Sequence, residues 1–411
     1  PFFFFKPYHA KRDPLWSRGL GDVYKRQMFK DHITMIGEEK HLPYQRPPLS
    51  KEFLSGEVSL ERVFMKSKEF FDQNDVTIFT STPVISIDRN KKILSLSNQE
   101  DLTYNKLVIA TGSRVRKLNV EGSSLKNISY LRSIEDANRL KEYFKFGKKL
   151  VIVGAGYVGL EVAATAVKKG INVTLIEMEN RIMSRTVDPV ISKYFDSLHR
   201  QNGVEIFLEA ALEKFEGEDA VERVICSNGQ IIEADGVLIG VGILPNQELA
   251  ESAGLNCNNG ILVDEFGKTE DTSIFACGDC TNHPNTYLNK NLRLESVHNA
   301  LEQAKTVAMS LLGKQEKYNQ VPWFWSDQYD KKLQIVGFSD DHDELVIRGS
   351  IEEDNFMLFF LKEGKLIAVN AVNNPKEFLI CKKLVANKQK ISSDAISNQS
   401  CLLYTSDAAD E

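Results

Sequence analysis

The chain of 411 residues contains no apolar run near the roughly 20 residues that a membrane-spanning helix requires. The run from Phe2 to Phe5 is too short for the apolar core of a signal peptide, and no cleavage site follows it. A basic excess is also missing. Lys and Arg number 51 against 57 Asp and Glu, a net charge of −6, which argues against a nucleic-acid partner. Six cysteines in so long a chain make no disulfide framework and point to a reducing compartment, the cytoplasm by default. His41, His199, His283, His298 and His342 are scattered without metal-ligand spacing, so no metal centre is expected. No Ser–His–acid signature favours hydrolysis. What is present is an ordinary globular composition, 42% hydrophobic and 26% charged, with enough chain for two or three domains.

The two ends do not read as protein. Written as codons, the string Asp22-Val-Tyr-Lys-Arg-Gln27 has a reverse complement that encodes Cys401-Leu-Leu-Tyr-Thr-Ser406. Two ends of one protein have no physical reason to share that relation. Residues 1–27 and 401–411 are therefore expected to be translated library-adapter sequence, and residues 28–400 to carry the information.

The clearest local signal is Lys149-Leu-Val-Ile-Val-Gly154-Ala-Gly156-Tyr-Val-Gly159-Leu-Glu161. The β-branched run before Gly154 suits a buried parallel strand. Gly154, Gly156 and Gly159 then form a Gly-x-Gly-x-x-Gly turn: a tight turn, room for backbone to approach a pyrophosphate, and close helix packing. A helix is expected to run on to Gly170, and a second strand from Asn172 ends at Glu177. Glu177 lies 23 residues after Gly154, close to the spacing of an acid that binds ribose hydroxyls. A carboxylate there favours NADH by repelling a 2′-phosphate. Arg181 and Arg185 follow closely and keep NADPH open.

Two further strand ends flank this unit. Lys106-Leu-Val-Ile-Ala110-Thr111-Gly112-Ser113 precedes it, and Thr272-Ser-Ile-Phe-Ala-Cys277-Gly278-Asp279 follows. Other strings are more specific than any glycine pattern. They are Arg46-Pro-Pro-Leu-Ser-Lys51, Arg293-Leu-Glu295-Ser-Val297, and Pro322-Trp323-Phe-Trp325-Ser-Asp327-Gln. Together these segments resemble the FAD-dependent ferredoxin, rubredoxin and putidaredoxin reductases. The resemblance covers residues 28 to about 388. It implies an α/β fold with two Rossmann-like dinucleotide-binding domains, the NAD domain inserted in the FAD domain, and a small C-terminal α+β domain. The expected division is 28–119 and 247–320 for FAD, 120–246 for NAD(P)H, 321–388 for the C-terminal domain, and a loose polar tail over 389–400.

The resemblance also implies roles. Glu38, at the end of a strand from Ile33, is expected on the adenosine ribose of FAD. Arg46, Val84, Ala110, Thr111, Gly112, Arg132, Asp279, Glu295 and Val297 are expected to contact or enclose FAD, and Gly242 to approach NAD. Lys51 is expected beside the flavin ring, paired with Glu161 from the nucleotide helix, and Trp325 near the isoalloxazine. Val84 and Val297 remain open as plain core, Lys51 and Arg46 as surface charge, and the tryptophans as packing. The family also begins with its own glycine-rich loop for the FAD pyrophosphate. Here adapter-like sequence stands where that loop belongs, and Gly19-Leu-Gly21 is no substitute, since Tyr24 occupies the third glycine position. The recorded chain is thus expected to bind FAD weakly or not at all, and the functional expectations refer to the intact enzyme.

Cys277 and Cys280 have Cys-x-x-Cys spacing but sit at a strand end, and are expected to be small packing residues. Without a dithiol relay, electrons from NADH are expected to leave FAD for an external one-electron carrier, a ferredoxin or rubredoxin-like protein. The alternatives are another FAD reductase on this scaffold, of monodehydroascorbate or nitrite reductase type, and a binding role like that of the apoptosis-inducing factors.

Overall fold

The computed structural model describes residues 32–398. The adapter-like ends and the position expected for the FAD loop lie outside them. The described chain gathers into two units. One holds the chain up to Arg46, Ser59–Arg114 and Ile243–Pro322; the other holds Pro47–Val58, Val115–Gly242 and the chain from Trp323 on. Residues 47–58, which the sequence suggests belong with the first dinucleotide domain, group instead with the second unit.

In the second unit the continuous apolar run before Gly154 becomes the strand Lys149–Val153, with every residue but the first buried. It is the centre of a parallel five-stranded sheet. Asn172–Ile176 and then Glu205–Phe207 lie on one side, Gly236–Ile239 and then Ile128–Ser129 on the other. A strand buried on both faces has no use for polar alternation, which explains the sequence. The helix Tyr157–Lys168 leaves the glycine turn with Gly156 at its N-cap. It buries Leu160, Val162, Ala163 and Ala166 in the core of this unit. Leu160 and Val162 each stabilise by about 1.5–3 kcal/mol through burial.

The same unit holds an antiparallel five-stranded sheet, in the order Trp323–Gln328, Lys331–Gly337, Lys365–Val372, Asn355–Lys362, Glu344–Ser350, followed by the helix Pro375–Ala386. The first of these strands was not expected, although Trp-Phe-Trp-Ser-Asp-Gln alternates along the edge of the sheet. The expected loose tail is a correction. Residues 393–397 form a short helix with Ile396 buried, and Arg348 donates to the carbonyls of Ile396 and Asn398 at 2.9 and 2.7 Å while pairing with Glu377. A polar composition concealed two buried isoleucines, Ile391 and Ile396.

In the first unit Ile33–Ile36 pairs in parallel with Val76–Phe79, and Leu107–Ile109 with Ile274–Ala276. An antiparallel meander of Val84–Asp88, Ile93–Leu96 and Asp101–Thr103 adjoins them in the chain. The helix Val297–Leu311 packs Ala304 and Val307 against Phe275 and Cys277. Among the described residues no helix is long and apolar enough to cross a membrane.

Candidate functional site

The glycine turn of the second unit has the geometry its spacing implies. Gly154 has φ +102°, and a Cβ there would lie 2.6 Å from the carbonyl oxygen of Gly240. A Cβ on Gly159 would lie 2.3 Å from the oxygen of Gly154, so the helix sits hard against the turn. Gly156 differs: a Cβ there would meet nothing within 4 Å. Its missing side chain leaves open space over the helix N-terminus, where free amides attract a phosphate. Gly242, φ +101°, also faces open space. Glu177 is set at the turn, its Oε2 accepting from the Ala155 amide at 2.7 Å. Arg181 is turned inward, donating to the carbonyls of Val187 and Ser184 at 2.9 and 2.6 Å, while Arg185 is exposed. These residues fit a pyridine dinucleotide.

Further along the same helix, Glu161 is buried and receives three donors. Lys51 Nζ lies 2.8 Å and Ser50 Oγ 2.5 Å from Oε2, and Ser326 Oγ lies 2.8 Å from Oε1. Thr165 ties the helix to the Ser50 carbonyl at 2.9 Å. Lys51 is therefore no free surface charge. The strand Trp323–Gln328 splits by alternation. Phe324, 4.4 Å between ring centroids from Tyr157, shares a face with Ser326 and Gln328. Trp325 lies on the other face beside Trp323, which packs edge-on to Phe378. Trp325 thus points away from the face that carries Ser326. Arg132 donates its amide to Asp136 at 3.0 Å, ahead of a helix capped by Ser133.

In the first unit, Glu38 is exposed just beyond its strand. Next to it Glu39 holds Arg46 at 2.6 Å, and Tyr44 donates to Glu39. Burial alone would raise the Glu39 carboxyl, yet the Arg46 charge and the Tyr44 bond hold it below its usual range. Asp279 follows Gly278, which has φ +84°, and accepts from Ser113 Oγ at 2.9 Å. Thr111 and Asn246 exchange two hydrogen bonds beside Gly112. Val297 opens its helix, Glu295 pairs with Arg293 at 2.5 Å, Val84 packs on the core, and Ala110 packs against Ala300. These positions suit the ribityl and adenosine parts of FAD. Cys277 and Cys280 are fully buried thiols, with Cys280 Sγ 3.3 Å from the Cys277 carbonyl, and burial pushes both upward. Thiols so held are poor nucleophiles.

A family model for pyridine nucleotide-disulphide oxidoreductases matches residues 23–304. The chain belongs to that family. A second model, for a reductase C-terminal domain, matches residues 323–405. The reductase is 38% identical over 367 residues to rhodocoxin reductase of Rhodococcus erythropolis, covering 89% of this chain and 86% of that protein. It is also 38% identical to a rubredoxin-NAD(+) reductase of Ectopseudomonas oleovorans, covering 88% and 92%. Among solved structures, the covalent putidaredoxin reductase–putidaredoxin complex matches with a TM-score of 0.91 at 34% identity, covering 95% of each chain. The reductase is an oxidoreductase that works with FAD and a pyridine nucleotide.

Neither Ser50 nor Ser326 carries a signal in sequence that it binds Glu161. Each is an ordinary serine, far along the chain from the acid, and only folding joins them.

Proposed function

We propose that this chain takes electrons from NADH through FAD to a small one-electron carrier of the ferredoxin or rubredoxin type. The observation that carries the reading is the Lys51–Glu161 pair, buried on the helix that opens at the dinucleotide turn. When bound, FAD accepts two electrons as hydride and releases them singly.

The protein's own residues do the rest. Gly154, Gly156 and Gly159 seat the pyrophosphate of NADH, and Glu177 takes the ribose hydroxyls. A carboxylate at that place, with Arg181 committed to backbone carbonyls, favours NADH over NADPH. Lys51 puts a positive charge beside the flavin ring, and Glu161 fixes where that charge stands. Glu38, Arg46 and Asp279, with Ala110, Thr111, Gly112 and Val84, line the FAD site, as do Arg132, Glu295 and Val297. Gly242 lets the backbone approach NAD, and Trp325 lies near the isoalloxazine. With buried, protonated thiols at Cys277 and Cys280, no dithiol intervenes, so electrons leave directly for the carrier. Residues 28–119 and 247–320 are assigned to FAD, 120–246 to NAD(P)H and 321–388 to the C-terminal domain. The cytoplasm is the compartment that suits unpaired cysteines.

Anaerobic addition of NADH to the intact, FAD-loaded enzyme tests this. The expected result is bleaching of the flavin, then reoxidation by an added ferredoxin or rubredoxin. Flavin that stays yellow with NADH overturns the reading. Flavin that bleaches but passes electrons only to two-electron acceptors overturns the carrier assignment.

A further inference from the structure

Glu161 is the inner end of a longer buried chain. Ser326 Oγ, which donates to Glu161, lies 3.2 Å from Gln328 Nε2. Gln328 Oε1 lies 2.8 Å from His199 Nε2, and His199 Nδ1 lies 3.1 Å from the Tyr329 hydroxyl. Ser326, Gln328 and His199 are fully buried. All belong to the second unit, on the helix Tyr157–Lys168, the helix Pro189–Gln201, and the edge strand with its turn.

The donor directions are forced. A carboxylate paired with an ammonium only accepts, so Ser326 gives its one hydrogen to Glu161 and accepts from Gln328. With its amide nitrogen so engaged, Gln328 turns its oxygen to His199, whose Nε2 must carry hydrogen. Burial keeps His199 neutral at ordinary pH, its pKa pushed down to about 4, so Nδ1 accepts from Tyr329. Four donors in a row point toward one carboxylate. Gln328 in the middle cannot pass a proton, since an amide would have to tautomerise. The chain is a string of aligned dipoles, not a proton path.

We infer that His199 and Gln328 are positioning residues of the electron-transfer site: through Ser326 they hold the Glu161 carboxylate in the one orientation that leaves Oε2 on Lys51. This rests on the proposed place of Lys51 beside the flavin. The aligned bonds strengthen one another in a low-dielectric interior, and hydrogen bonds to a charged group are the strong ones. Loss of that alignment is expected to cost about tenfold or more in rate.

Two measurements decide it. Nitrogen-15 NMR of the histidines in the full chain, with the His199 signals assigned by their loss in His199→Phe, is expected to show the Nε2–H tautomer at pH 7. The Nδ1–H tautomer overturns the chain. Then the FAD-loaded protein is compared with Gln328→Met, which keeps the side-chain length, adds no charge and removes the donor, and with Lys51→Met. Gln328→Met is expected to slow flavin reduction at saturating NADH about tenfold. It is expected to move the flavin midpoint potential while the Kd for NADH stays unchanged. If Lys51→Met changes rate and potential but Gln328→Met changes neither, or changes only the Kd, the inference fails. If Lys51→Met itself is silent, it is the placement of Lys51 that fails.

Discussion

Glu177 and Arg181 illustrate how far residue identity alone carries. The acid stands at the spacing expected for a ribose contact, and it does reach the turn, accepting from Ala155. Two arginines following it kept both nucleotides open in sequence; the fold commits Arg181 to the Ser184 and Val187 carbonyls. Glu177→Ala is accordingly expected to raise the KM for NADH about tenfold, the loss of one charged hydrogen bond, without making NADPH a good substrate. Steady-state kinetics with both nucleotides check this, and a variant that prefers NADPH would show that Arg181 is available after all. The polar chain to His199 was not legible. Its members are single polar residues, with Ser326 already 165 positions from Glu161, and no periodicity marks them.

Contiguous elements were legible because their causes are local. Strand, glycine turn, helix and second strand follow one another within about thirty residues, and each boundary has its own chemical marker. The three glycines make separable predictions. Gly159→Ala must displace the backbone oxygen of Gly154, and is expected to destabilise the protein by about 1–3 kcal/mol. Gly156→Ala meets no protein atom and is expected to leave the melting temperature unchanged while weakening NADH binding. Thermal denaturation beside NADH titration separates the two. If Gly156→Ala binds NADH as the wild type does, the space over that helix end is not the pyrophosphate site. The strand Trp323–Gln328 was missed for the opposite reason: its alternation was masked by aromatic residues on both faces.

At the scale of the whole molecule, buried histidines shape the response to acid. His199 and His283 are each buried and pushed down to about 4 from 6.5. A base with a lowered folded pKa binds fewer protons when folded, so its contribution is intact above about 6.5 and declines as pH falls toward 4. Each is expected to cost about 2 kcal/mol between pH 7 and pH 5. Denaturant unfolding at the two pH values measures the loss, and His199→Phe should remove about half of it. An equal loss in that variant would locate the acid sensitivity elsewhere.

The edge strand that begins at Trp323 returns as its partner through only Tyr329 and Asp330, with Gln328 opposite Lys331 and Tyr329 at φ +57°. A strand whose faces alternate behaves like a two-sided key: moved by one notch, it presents the wrong side to every lock at once. Here one side carries Trp323 and Trp325, and the other carries Phe324 with the dipoles that end on Glu161. The length of a two-residue turn is therefore a chemical parameter of this enzyme, since one residue more or less would turn Ser326 away from Glu161 and Gln328 away from His199.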